Sequence, residues 1–79
     1  MKAIRFTQDA HNDLRAHRGQ ARRVIAKLNA FAATGAGDVK KLVGIEGSRL
    51  RAGEFRIIFT ETDTEIFVLK IGPRGKVYD

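Results

Sequence analysis

The sequence of 79 residues contains no cysteine. Disulfide bonds, cysteine-ligated zinc sites and thiol chemistry are therefore excluded together. Long apolar runs are also lacking. None approaches the roughly 18 residues of a membrane-spanning helix, and the opening MKAIRF turns polar at TQD, unlike a signal peptide. The sequence predicts a soluble, cytoplasmic protein that does not associate with a membrane.

The side-chain arrangements of most metal sites and hydrolases are missing too. His11 and His17 lie six residues apart on a predicted helix, which points them to opposite sides. The acidic residues are scattered among predicted turns, and no Ser-His-Asp or paired-carboxylate arrangement emerges. Gly44 and Gly47 lack the Lys-Ser/Thr that follows the glycines of a phosphate-binding loop. We expect neither a metal nor another cofactor.

What the chain does have is positive charge. Fifteen Lys and Arg oppose nine Asp and Glu, which gives a net charge of +6, and residues 1–37 carry most of the excess. A small basic domain favours an anionic partner, either a nucleic acid or an acidic protein. The alternative is a solvated surface that only keeps the protein in solution, and net charge alone does not decide between them.

The first half of the chain predicts a strand followed by two helices. Residues 2–6 alternate between polar and apolar and predict the strand. Thr7 offers an N-cap for a helix over residues 8–17, which we expect to end near Gly19. A second helix over residues 20–33 presents one apolar face at i, i+3, i+4 spacing and stops at the glycines that follow. The short connection predicts a helical hairpin.

The second half changes to the period of β-strands. Runs rich in β-branched and aromatic residues predict three antiparallel strands over residues 48–51, 54–59 and 65–71. The strand around Phe67 has apolar residues at both odd and even positions, which project to opposite faces. We therefore expect it at the centre of the sheet with both faces covered. The predicted fold is α+β, a single domain over residues 1–79 in the order β-α-α-β-β-β. The helical hairpin packs on one face of a small, mainly antiparallel sheet.

The informative region is the hairpin between the first two of these three strands. With an even-numbered loop about residues 52–53, Arg51 lies opposite Glu54, and Arg49 lies opposite Arg56. Strand alternation then directs the apolar residues of both strands to the core and the three arginines to the other face.

Two interpretations of these three arginines stay open. Like charges directly across a hairpin repel each other, and Glu54 can relieve only one of them. The cluster favours an anion-binding site, because guanidinium groups bind phosphate and carboxylate through paired hydrogen bonds. The alternative is that they are ordinary solvent-facing strand residues, and an odd-numbered loop would scatter them.

Two further candidates follow the last predicted strand. Pro73 sets the direction of the chain before Arg74, and the flanking glycines let the backbone approach a ligand closely. Tyr78 is the only tyrosine. Its ring could cap the edge of the sheet, or it could serve as a platform for a nucleobase or as a phenol that handles protons. Its position alone does not decide between these roles.

Two stretches of the sequence resemble the RelE/ParE superfamily of toxins from bacterial toxin–antitoxin pairs. One is GSRLRAGEFRIIFT, residues 47–60, and the other is FVLKIGPRGKVY, residues 67–78. The shared pattern is a basic strand, a Gly-aromatic-Arg-hydrophobic strand and a terminal Gly-x-Arg…Val-Tyr. The β-α-α-β-β-β order also fits, so the resemblance covers nearly the whole chain and implies a RelE-like fold.

The resemblance also implies a function. RelE-like members cleave messenger RNA in the ribosomal A site, whereas ParE-like members poison DNA gyrase. The catalytic positions of the RelE branch are matched here by Arg49, Arg51, Arg56, Arg74 and Tyr78. ParE-like chains usually lack the terminal tyrosine, so Tyr78 favours the RelE branch. The implied reaction is attack of the ribose 2′-OH on the adjacent phosphate, and the implied partners are a cognate antitoxin, the ribosome and mRNA.

One departure from the family concerns the general base. Its best-known members carry lysines where this sequence has Arg49 and Arg51. A guanidinium group stays protonated and cannot easily accept a proton. The base is therefore unassigned, with Tyr78 as one candidate and a group on the ribosome as another.

Overall fold

The computed structural model describes residues 1–75 and residue 77, and within them two helices and five strands follow one another. The strands are β1 (Ala3–Phe6), β2 (Val39–Lys41), β3 (Ser48–Ala52), β4 (Phe55–Glu61) and β5 (Glu65–Pro73), and the helices are α1 (Gln8–Ala16) and α2 (Arg18–Thr34). The strands form one sheet in the order β1-β5-β4-β3-β2. β1 is parallel to β5, and the other neighbouring pairs are antiparallel. The predicted α+β fold with a mainly antiparallel sheet is confirmed.

The two helices are joined by His17 alone. Thr7 caps α1 as predicted, since its Oγ1 accepts a hydrogen bond from the backbone N–H of Ala10 at 3.1 Å. The predicted boundary near Gly19 is wrong, because Gly19 lies inside α2. His17 leaves the helical conformation (φ −121°, ψ 53°), and its ring packs edge-on against Phe55 with the centroids 5.0 Å apart. The helices thus separate at a residue that contacts β4, and not at the glycine.

The hydrophobic core lies between the helices and one face of the sheet. α2 buries Val24, Leu28 and Ala32, which recur every four residues on one side of the helix. The sheet contributes the buried residues Leu50, Ala52, Phe55, Ile57, Phe59, Ile66, Val68 and Ile71. Among the described residues no helix covers the opposite face. We call it the open face, and it carries Arg5, Arg49, Arg51, Arg56, Ile58 and Phe67.

β5 lies inside the sheet, flanked by β1 and β4, as predicted. Its two faces are covered unequally. Ile66 and Val68 are fully buried beneath the helices, whereas Phe67 and Leu69 are only half-buried. The expectation that both faces of this strand are covered is therefore wrong, because α1 and α2 pack on the same side of the sheet.

β2 is a short edge strand that the sequence did not predict. Its three residues, Val39–Lys41, are all exposed and pair with Leu50, Arg49 and Ser48 of β3. A valine followed by two lysines has too few residues to show the alternation that predicts a strand. The strand forms because β3 presents its unpaired backbone groups at this edge.

Beyond the end of β1, the backbone edge of β5 is hydrogen-bonded by side chains of α1 and its N-cap. The backbone N–H of Ile71 donates a hydrogen bond of 2.8 Å to Oδ2 of Asp13. Nearby, Oγ1 of Thr7 donates to the carbonyl oxygen of Leu69 at 2.8 Å. A backbone N–H without a partner strand is thus paired with a helix side chain, which is what a buried edge requires.

Replacing Asp13 with alanine is expected to lower the free energy of unfolding by about 2 kcal/mol, because the N–H of the buried Ile71 would lose its charged acceptor. Asp9→Ala removes the same charge from the exposed first turn of α1 and should cost less than about 1 kcal/mol. Urea unfolding of the two variants measures the difference. Equal losses would show that Asp13 contributes only its charge.

Candidate functional site

The β3–β4 hairpin brings the predicted arginines together. Its turn has two residues, Gly53 and Glu54, so the expected even-numbered loop is confirmed. The individual pairs were predicted wrongly, because the turn is centred one residue later: Arg51 lies opposite Arg56, and Arg49 lies opposite Ile58. Gly53 has φ +63°, and the first position of a two-residue hairpin turn favours such a glycine.

The shift leaves the predicted face of each residue unchanged. Moving the turn by one residue changes the register by two, and side chains alternate with a period of two. Leu50, Ile57 and Phe59 are fully buried beneath the helices. Arg49, Arg51 and Arg56 accordingly lie on the open face. We call these three residues the arginine cluster.

Arg56 is the most constrained member of the arginine cluster. Its residue surface is only 3% exposed. Its Nη1 donates hydrogen bonds to the carbonyl oxygens of Gly53 at 3.0 Å and Phe55 at 3.2 Å. A buried guanidinium group is costly unless it is hydrogen-bonded in this way. These bonds fix its position before any ligand arrives.

Arg51 faces Arg56 directly and is more exposed, with about half of its side-chain surface accessible. Nε of Arg51 donates to the carbonyl oxygen of Gly53 at 3.4 Å, the same oxygen that Arg56 uses. The carboxylate beside Arg51 belongs to Asp38, with Oδ2 4.0 Å from Nη1, and not to Glu54 as predicted. A shared carbonyl acceptor and Asp38 thus offset the repulsion between the two arginines.

The end of β5 brings Arg74 to the same hairpin turn. The backbone N–H of Arg74 donates to the carbonyl oxygen of Glu54 at 2.7 Å. Pro73 lies opposite Phe55, one position earlier. The exposed Arg74 therefore lies at the end of the sheet that carries the turn, two residues beyond Gly72, the partner of Arg56.

Val77 lies against the open face at Gly72. Gly72 lies opposite Arg56, and a Cβ atom at Gly72 would come within 2.8 Å of Cγ1 of Val77. Only a residue without a side chain leaves room for Val77 there. Tyr78, the remaining predicted site residue, lies outside the described residues, and its predicted role stays a prediction.

Two lysines that were not predicted as site residues share the face of the arginine cluster. Lys40 of β2 lies opposite Arg49, and Lys70 of β5 lies opposite Ile58. Directly paired residues of neighbouring strands project to the same face. Lys40 was not predicted because β2 was not predicted. Its placement depends on pairing with Arg49, nine residues further along the chain.

Residues 1–75 and 77 show no metal site and no membrane-spanning helix. No group of three or more His, Asp or Glu comes together there in a way that could hold a metal ion. No helix in that part of the chain is long and apolar enough to cross a membrane. A groove of about 410 Å³ between the β2–β3 loop and the end of β4 contains none of the predicted site residues.

The arrangement can bind and stabilise negative charge. The Arg56 side chain is buried and hydrogen-bonded, Arg51 is half exposed beside it, and the backbone of Arg74 is bonded to the hairpin turn that both arginines flank. Preplaced cationic donors lower the energy of an anionic transition state more than mobile ones, because they need no reorganisation.

Similarity to known proteins is found in structure rather than in sequence. No family model and no curated protein matches the chain. A YoeB dimer structure from Staphylococcus aureus matches with a TM-score of 0.73 at 21% identity, over 87% of this chain and 92% of that one. The archaeal RelE–RelB complex from Pyrococcus horikoshii OT3 matches with a TM-score of 0.76 at 23% identity, over 96% of this chain and 98% of that one. The similarity establishes a RelE-like fold, as the sequence resemblance predicted.

Proposed function

We propose that this protein is the toxin of a toxin–antitoxin pair and a ribosome-dependent endoribonuclease that cleaves mRNA. The observation that carries the proposal is the arginine cluster. In it Arg51 lies directly opposite Arg56, whose buried side chain is already held in place by hydrogen bonds. Neighbouring guanidinium groups favour an anionic ligand, because they bind phosphate and carboxylate through paired hydrogen bonds. The RelE-like fold and the sequence resemblance point to the RNA phosphodiester as that anion, and RelE and YoeB as structural matches favour this branch over ParE.

The proposed reaction is a transesterification within the RNA. The ribose 2′ oxygen loses its proton to a base and attacks the adjacent phosphorus, and the bond to the 5′ oxygen of the next nucleotide breaks. The leaving oxygen gains a proton, so the products are a cyclic phosphate and a 5′-OH. Negative charge accumulates on the phosphate oxygens in the transition state, and hydrogen bonds from fixed cations to these oxygens accelerate the reaction.

The roles in this proposal follow the surroundings of each residue. Arg56 is the fixed donor to the phosphate, because turn carbonyls hold its guanidinium group. Arg49 and Arg51 close around the phosphate from β3. Arg74, next to the hairpin turn, stabilises the leaving oxygen or the phosphate. Tyr78 orients a base by stacking.

An antitoxin partner belongs to the same proposal. The chain carries a net charge of +6, which suits an acidic or amphipathic segment wrapped around it. Val43 and Ile45 in the β2–β3 loop expose 97% and 49% of their surface and could be buried by such a segment. The Pyrococcus RelE, which has the same fold, was solved in complex with RelB.

Mapping mRNA 5′ ends after induction in a bacterial host tests the proposal. We expect new 5′ ends inside translated regions within minutes, and none from Tyr78→Ala. Protein synthesis should stop before any DNA-damage response begins. A DNA-damage response with translation intact would support the ParE-like alternative, a gyrase inhibitor without nuclease activity.

A further inference from the structure

Lys40 continues the positive surface beyond the arginine cluster. It lies on β2 directly opposite Arg49, so its side chain projects from the open face, and it is exposed. Its ammonium group makes no hydrogen bond or ion pair with any residue that the structure describes. Lysine at this position is therefore available to a ligand.

Two other cations of the open face, Arg5 and Lys70, each lie beside a carboxylate. Nε of Arg5 is 2.8 Å from Oε2 of Glu65. Nζ of Lys70 is 3.7 Å from Oδ2 of Asp13. These ion pairs reduce the attraction of both cations for an external anion.

Lys40, the middle residue of β2, and Asp38, the residue before this strand, carry opposite charges. Lys40 continues the cross-strand row that contains Arg49, Ile58 and Lys70. Asp38 stands at the corresponding place beside Arg51, with which it forms an ion pair. An anionic chain that leaves the arginine cluster toward the edge of the sheet is attracted along the row of Lys40 and repelled along the row of Asp38.

We propose that Lys40 binds a phosphate that flanks the scissile linkage, so that the RNA strand passes from the arginine cluster across β3 to the edge at β2. The proposal rests on the proposed function. Neighbouring strands lie about 4.8 Å apart, so the long side chain of Lys40 reaches an anion one step beyond Arg49. An ammonium group is a point charge that needs no particular geometry, which suits a phosphate that does not react.

Such a contact is the same in the bound substrate and in the transition state. It therefore strengthens binding of RNA without accelerating the chemical step. Each phosphate contact also adds to the salt dependence of the affinity, with a slope of about 0.7 in log Kd against log salt for single strands.

The test measures binding of a short single-stranded oligoribonucleotide to the full chain by fluorescence anisotropy over a salt series. We expect Lys40→Ala to lower the slope by about 0.7 and to weaken binding about fivefold in 0.1 M salt. Lys41→Ala is the matched control, since it removes the same charge from the adjacent exposed residue, which projects to the other face opposite Ser48. It should leave the slope unchanged, and Lys40→Arg should retain it.

Equal effects of Lys40→Ala and Lys41→Ala would overturn the inference, because only net charge would then matter. An unchanged slope in Lys40→Ala, or wild-type protein that fails to bind RNA at low salt, would overturn it as well. The measurement needs neither the ribosome nor cleavage. A reduced slope in Lys40→Ala combined with no mRNA cleavage after induction would reject the proposed enzyme and leave this RNA contact standing.

Discussion

Arg51→Ala is expected to slow mRNA cleavage by the ribosome-bound protein about 10²–10³-fold, the usual effect of removing one preplaced donor to a developing oxyanion. Arg51 is the best member of the arginine cluster for this experiment because its side chain is about half exposed. Its truncation should leave the core intact. Arg56 is only 3% exposed and bonds two turn carbonyls, so Arg56→Ala would change both stability and activity.

The matched control is Arg5→Ala. Arg5 also lies on the open face and is exposed, but it belongs to β1 at the far side of the sheet and pairs with Glu65. Single-turnover cleavage of ribosome-bound mRNA should be nearly unchanged in this variant, and both variants should unfold near the wild-type midpoint. Equal losses of cleavage in Arg51→Ala and Arg5→Ala would contradict a site at the arginine cluster.

Gly72→Ala is expected to reduce cleavage about 10²-fold while the protein stays folded. The added methyl group would lie 2.8 Å from Cγ1 of Val77 and would displace Val77 from the open face. A displacement of about 1 Å in a positioning element has an effect of this size. The effect on stability should be small, because the clash involves the side chain of Val77 and no backbone atom.

A double variant separates this clash from other effects of Gly72→Ala. Val77→Ala removes the Cγ1 atom that the new methyl group would meet. The combined variant should therefore recover most of the lost activity, with Val77→Ala alone as the reference. Two losses that simply add would show that the substitutions act independently. In that case the contact between Val77 and Gly72 does not contribute to catalysis.

Local patterns in the sequence were sufficient to predict several features. The apolar spacing of α2, the Thr7 cap and the hydrophobic strands depend on residues close together in the chain, and the structure confirms them. The open-face location of Arg49, Arg51 and Arg56 was also predictable. The face to which a strand residue projects depends only on whether its position is odd or even. A one-residue error in the position of the turn changes the register by two, so it leaves that face unchanged.

The tertiary structure decided the features that depend on residues distant in the sequence. The helix break at His17 depends on Phe55, and the buried edge of β5 depends on Asp13. The place of Lys40 beside Arg49 depends on an edge strand too short to have a pattern of its own. Hydrophobic periodicity and turn preferences act over a few residues, so they determine which faces are apolar and which are charged. Which distant groups meet is determined by packing and strand pairing across the whole chain, and those contacts fix the surroundings of each arginine.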